Sequence, residues 1–294
     1  MFYSLNKGDK LFTVTNYFLL SLVICLMIYP LIYVISASFS NPEKMLLGEL
    51  WLFPKDINFE SYLLAFQNSD IWIGYRNTIF YTALGTLINL IMSVMIAYPL
   101  SRKDFYGRGI ITAFIIFTMF FNGGMIPTYL LVRDVGMLDT FWAVMIPGAV
   151  SVYNVIIMRT FFQGIPNEIR EAAAIDGSTN LHFLWKIVLP LSTPILAVMA
   201  LFYGVGHWNS YFDALIYLQD SAKYPLQLFL RQMLIQDDMT AMSTSGTEGV
   251  AQHLLRVEGL KYAVVIIASL PMLIIYPFLQ KYFIKGVMIG SLKG

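Results

Sequence analysis

The chain has 294 residues, of which 57% are hydrophobic and only 13% charged. Soluble domains carry about 25% charged and about 45–50% apolar residues, so an ordinary water-soluble fold is excluded. A net charge of +1 gives no electrostatic case for nucleic acid, and the lone Cys25 rules out an intrachain disulfide.

Six apolar runs follow one another along the chain, at 11–35, 77–100, 109–132, 141–162, 187–206 and 260–283. Each is close to the roughly 20 residues that a helix needs to cross a bilayer. They predict an all-α integral membrane protein with one transmembrane domain over 1–294. The first run ends at Ser36-Ala37-Ser38, a small-residue stretch that looks like a cleavage site. The run is longer than a signal-peptide core of about 7–15 residues, so an uncleaved anchor is the expectation. The second run is followed by a short basic loop holding Arg102, Lys103 and Arg108. Short basic loops stay in the cytoplasm, which puts this loop, both termini and the 163–186 segment on that side. The outer segments, 37–76 and about 207–259, are rich in acids and carry Trp51, Trp72, Tyr75, Trp208, Tyr211 and Tyr217. These aromatics suit either an interfacial belt or a platform for something arriving from outside.

Prolines punctuate the spans at Pro30, Pro99, Pro127, Pro147, Pro190, Pro194, Pro271 and Pro277. Such breaks survive in a bilayer where neighbouring helices or a wet cavity satisfy the freed backbone groups. The strongest, Asn122-Gly123-Gly124-Met125-Ile126-Pro127, interrupts the third span, either as a packing kink or as a bend lining a pathway. Polar side chains at span depth are few, and they face a bundle interior or a cavity. Those near the broken spans are the pathway candidates: Asn89, Asn122, Tyr153, Asn154, Tyr203, Trp208, Asn209 and Tyr211. His207 stands beside them. No acidic or basic residue clearly occupies mid-bilayer, which argues against a proton relay or an ion-coupled carrier. The chain has no Gly-Lys dipeptide and hence no phosphate-binding loop, no metal-binding His or Cys pair and no nucleophile elbow. It is expected to move something and not to transform it.

Between the fourth and fifth spans lies a polar interruption. Pro166 suits a first helical turn, and Asn167, Glu168 and Glu171 suit the positive end of the helix. Ile169, Ala172 and Ala173 make a narrow small-residue face, and Gly177 offers a left-handed stop. Ser178 is then expected to cap a second short helix with an apolar stripe of Leu181, Leu184, Trp185 and Val188, before Pro190 enters the fifth span. The result is a helix–turn–helix on the cytoplasmic surface.

The spacing Glu171-Ala172-Ala173, Gly177, Ile187, Leu189-Pro190 matches every fixed position of EAA-x3-G-x9-I-x-LP. In this the chain resembles the permeases of ATP-binding-cassette type I importers, and the likeness extends over nearly its whole length. Trp208-Asn209 with Asp213 resembles the maltose-permease-like carbohydrate branch. The runs Gly123 to Tyr129 and Ser151 to Asn154 look like a subgroup that takes complex oligosaccharides, including acidic ones such as alginate fragments. The resemblance implies a MetI-like fold of six transmembrane helices in the bacterial inner membrane. It implies that the helix holding Glu171, Ala172, Ala173, Asp176 and Gly177 couples to a cytoplasmic ATPase, with Glu171 offering a carboxylate and the alanines close contact. It further implies two ATPase subunits that bind ATP and magnesium, no cofactor in this chain, a homologous partner permease and an extracytoplasmic solute-binding protein. An importer for another solute, an ion-coupled carrier and a membrane enzyme are the rival readings.

Overall fold

The computed structural model describes residues 7–243 and 248–291, with side chains for 8–235, 255 and 257–277. Every regular element among the described residues is helical. By contacts the chain forms two units, one of 1–68 and 232–269, the other of 69–231 and 270–294.

The first unit opens with the helix Lys7–Ser38, whose apolar side chains stand exposed along most of its length. The chain itself leaves this apolar helix uncovered, and its length and hydropathy suit a membrane span. Its end is anchored by small residues. Ser36 Oγ donates to Leu52 O at 2.6 Å, and Tyr62 OH donates to Ser38 Oγ at 2.8 Å. The stretch that looks like a cleavage site, Ser36-Ala37-Ser38, is buried here. Ala37, Met45 and Leu50 form a small core with Tyr33 and Tyr262 beside it.

The second unit is built on the helix Ser69–Ser101. Its buried residues recur every three or four positions, including Gly74, Thr78, Tyr81, Gly85, Asn89, Ser93 and Ala97. That is one helix face, and small residues on it let neighbours approach closely, as membrane helix packing requires. The Leu226 backbone crosses at Gly74 and the His207 ring lies over Gly85, so a Cβ at Gly85 would stand 2.6 Å from that ring. Thr193–Trp208 and Val152–Gln163 pack on this helix, and Val94, Met158, Phe162, Val188, Met199 and Tyr203 belong to their shared core.

Among the described residues, three helices are each long and apolar enough to cross a membrane, and the number rises to five if two bent pairs count as spans. Length and composition alone do not confirm the expected count of six. The predicted third span divides into Arg108–Phe120 and Met125–Asp134, bent by 112°. Gly124 there takes φ +94°, and Asn122 Oδ1 accepts from the Gly124 amide at 2.8 Å, a local turn that competes with helix. The predicted fourth span breaks around Pro147 into Phe141–Met145 and Val152–Gln163. The predicted fifth span begins later than expected. Asn180–Leu191 and Thr193–Trp208 meet at 81°, so the Ile187 to Pro190 run lies before the bend.

Candidate functional site

The helix predicted around Glu171 is present as Asn167–Ile175. Pro166 precedes it in an extended conformation, with φ −55° and ψ 138°, and does not form its first turn. Asp176 ends it, and Gly177 takes φ +74°, a left-handed stop that needs a residue without Cβ. The Ser178 amide then bonds back to Ala173 O at 2.9 Å, closing the turn. The second helix is capped one residue later than expected, by Thr179 Oγ1 accepting from the His182 amide at 3.3 Å.

Alternate faces of this hairpin do different work. Ala173 is buried at 7% exposure, and Ile169 packs against the same core. Glu171, Ala172, Asp176 and Gly177 are exposed, and Ile175 is 87% exposed. Successive helical residues diverge by about 100°, so Ala172 and Ala173 present different faces, one exposed and one buried. The expected apolar stripe likewise splits. Leu184 and Val188 go inward with Phe183, while Leu181 and Trp185 stay 70% and 65% exposed. Leu184–Val188 is a π-helical turn just ahead of Pro190. A proline in an α-helix removes one hydrogen bond and clashes with the carbonyl four residues back, and a wider turn relieves that clash.

A charged brace ties the hairpin to the loop after Ser69–Ser101. Asp104 accepts from Arg102 Nε at 3.1 Å and Nη2 at 2.6 Å, and from Arg170 Nη1 at 3.1 Å and Nη2 at 3.0 Å. Arg102 also reaches Asn180 Oδ1 on the second helix. The hydrogen bond from Arg102 is the main cause that holds the Asp104 carboxyl down to about 2. At the helix end, Arg159 Nε donates to Leu100 O at 3.0 Å and satisfies a terminal carbonyl.

The pathway candidates separate into a buried network and scattered exposed residues. Asn89, 1% exposed, donates to Gly148 O at 2.8 Å while its Oδ1 meets His207 Nε2 at 2.6 Å. Tyr203 OH and Ser93 Oγ share a hydrogen bond of 2.7 Å, and the Ser151 amide donates to the same Tyr203 oxygen at 3.4 Å. Asn89 and Tyr203 thus satisfy the backbone freed by the Pro147 break. Asn154 is buried in the first turn that Ser151 caps. Trp208 is buried, edge-on to Tyr75 with ring centres 6.1 Å apart. Asn122 and Asn209 are exposed and engaged with nearby backbone, Asn209 donating to Val205 O at 2.9 Å. Tyr153 is 57% exposed, and Tyr211 is partly exposed under the Arg231 guanidinium, 5.3 Å from the ring centre.

Comparison with known proteins decides the family. Residues 71–289 match the profile described as "binding-protein-dependent transport system inner membrane component". The chain belongs to that family. This inner-membrane permease component is 42% identical to Protein LplC of Bacillus subtilis (strain 168) over 98% of its own length and 97% of the relative's. It is 40% identical to the polygalacturonan/rhamnogalacturonan transport system permease protein YtcP of the same organism, over 97% and 99% of the two chains. A solved chain from a bacterial ABC transporter involved in the import of the acidic polysaccharide alginate superposes with a TM-score of 0.86. That chain is 36% identical, and the match covers 96% of this permease and 99% of its counterpart. The MetI-like fold follows, and the reading as an ion-coupled carrier gives way to an ABC importer permease.

Several structural residues of the permease escape sequence reasoning because their partners are distant along the chain. Asp139 takes φ +54° and accepts from the Gln219 and Asp220 amides and from Lys223 Nζ, the last at 2.9 Å. Thr82 and Thr86 bury hydroxyls that have no hydrogen-bond partner among the described residues, near Gly204. Arg231 gave no signal in the sequence, since nothing local distinguishes it from a surface base.

Proposed function

We propose that this chain is one of two permease subunits of an ATP-driven importer that carries an oligosaccharide, with acidic glycans the preferred class, into the cytoplasm. The cargo class rests on the two relatives whose names specify polygalacturonan/rhamnogalacturonan and alginate transport. The observation that carries the mechanism is the split face of Asn167–Ile175. Ala173 is anchored in the permease core while Glu171, Ala172 and Ile175 face away from it. The outward side, with Ile175 among its residues, is the one the chain leaves open to a partner. On this reading an ATPase subunit covers it, with a basic group on Glu171 and backbone close to Ala172.

Two cytoplasmic ATPases bind the ATP and magnesium, since this chain has no phosphate-binding loop. A homologous permease completes the membrane pair, and an extracytoplasmic binding protein delivers the cargo. Asn122, Tyr153, Asn209 and Tyr211 keep exposed surface for a path shared with that second permease. Asn89 and Tyr203 serve by holding the broken helix that borders it. ATP and the loaded binding protein favour different states of the assembly, and that difference drives transport.

The test is ATP hydrolysis by the reconstituted importer with its binding protein and candidate glycans. Glu171→Ala and Gly177→Pro are expected to abolish cargo-stimulated hydrolysis while membrane insertion persists. Normal hydrolysis and transport by the double variant would reject the coupling role.

A further inference from the structure

A cleft of about 270 Å³ opens between the 101–108 loop and the start of the hairpin. Arg102, Lys103, Arg108 and Arg170 all line it, and no acidic side chain does. Phe162 and Phe183 are among its apolar lining. Four cations around one small cleft repel one another unless an anion offsets them. Asp104, at the edge, answers only two, since both of its oxygens are already shared between Arg102 and Arg170. Arg108 donates one N–H to Arg102 O at 3.2 Å, which leaves its charge without a counter-ion among the described residues. A guanidinium carries five donors in a planar fork, so Arg108 has further donors to offer. Lys103 is exposed at the rim.

We propose that this cleft binds a phosphate group, presented either by an anionic phospholipid headgroup or as free phosphate. Planar guanidiniums beside a lysine are the side chains that recognise phosphate oxygens by charge-assisted hydrogen bonds. The cleft lies where the helices Ser69–Ser101 and Val152–Gln163 end, which is the level of lipid headgroups for a spanning helix. A bound phosphate joins the loop bases Lys103 and Arg108 to Arg170 on the helix Asn167–Ile175, which Asp104 reaches through Arg170 alone. Binding is independent of which glycan is carried and of whether that helix couples to an ATPase.

The experiment uses the full chain in nanodiscs, as wild type, as Lys103→Gln/Arg108→Gln, and as Lys103→Arg/Arg108→Lys. The first double variant leaves the Arg102–Asp104–Arg170 brace untouched. One arm reads phosphatidylglycerol retained per chain by native mass spectrometry, with phosphatidylcholine as the neutral control. The other reads inorganic phosphate binding by equilibrium dialysis in phosphatidylcholine discs. The glutamine pair is expected to weaken binding about tenfold in one arm, the worth of a charge-assisted hydrogen bond or two. The charge-keeping pair is expected to retain it. A loss confined to phosphatidylglycerol identifies a lipid headgroup, and a loss in the dialysis arm identifies free phosphate. Unchanged binding in both arms overturns the proposal, as does no binding by wild type or equal loss in the charge-keeping pair.

Discussion

Asp104 illustrates how little of a side chain's role its own position discloses. In the sequence it is one acid in a basic loop; in the structure it gathers two guanidiniums from residues 66 positions apart or nearer. Its carboxyl is held at about 2, below the unfolded value of about 3.9. The contribution is therefore complete above that unfolded value and is lost as the pH falls through about 2. Solvent reaches nearly half of the side chain, at 47% exposure, so the effect is modest. Asp104→Asn is expected to lower the melting temperature by about 2 °C at neutral pH, with the difference from wild type closing between about pH 4 and pH 2. Thermal unfolding in nanodiscs across that range measures it. Asn89 makes a similar point without charge. A lone polar residue at span depth fits a cargo contact equally well, but here the side chain is buried and engaged with Gly148 and His207.

The helix Asn167–Ile175 was largely legible in advance. Its existence and its stop at Gly177 follow from local rules, because a left-handed C-terminal residue and an acidic first turn act within a few bonds. Which alanine faces inward was not legible, because both are small and adjacent. Ala173→Leu is expected to destabilise the permease by about 1–3 kcal/mol by overpacking its core. Ala172→Leu, on the exposed side, is expected to change stability by no more than about 0.5 kcal/mol. It is nevertheless expected to reduce cargo-stimulated ATP hydrolysis severalfold by blocking close approach. Comparing melting curves with hydrolysis rates separates the two; equal destabilisation would remove the assigned faces. The spans behave differently from this hairpin. Apolar length located them and the Asn122 to Pro127 run marked the break in the third, but neither disclosed the size of the bends, 112° and 81°.

For the chain as a whole, orientation rests on charge alone, with Arg102, Lys103 and Arg108 in a short loop that resists translocation. Replacing the single Cys25 by serine and placing one cysteine at Glu43 or at Lys103 makes this measurable. A membrane-impermeant maleimide is expected to label Glu43→Cys in intact cells and Lys103→Cys only after the membrane is opened. The reverse pattern inverts the topology. Membrane class, helical architecture and the motif at Glu171 to Pro190 can be read from the chain because they depend on composition and on neighbours within a few turns. Hydrophobic length needs no partner to be recognised, and a glycine stop needs none either. The roles of Asn89, Tyr203 and Trp208, the face of Ala173 and the cation-lined cleft depend on packing between segments far apart in the chain. In each case the deciding contact comes from a distant segment: His207 for Asn89, Ser93 for Tyr203, Arg170 for Asp104. Side-chain type constrains which hydrogen bonds a residue can make, and folding alone selects which partner supplies them.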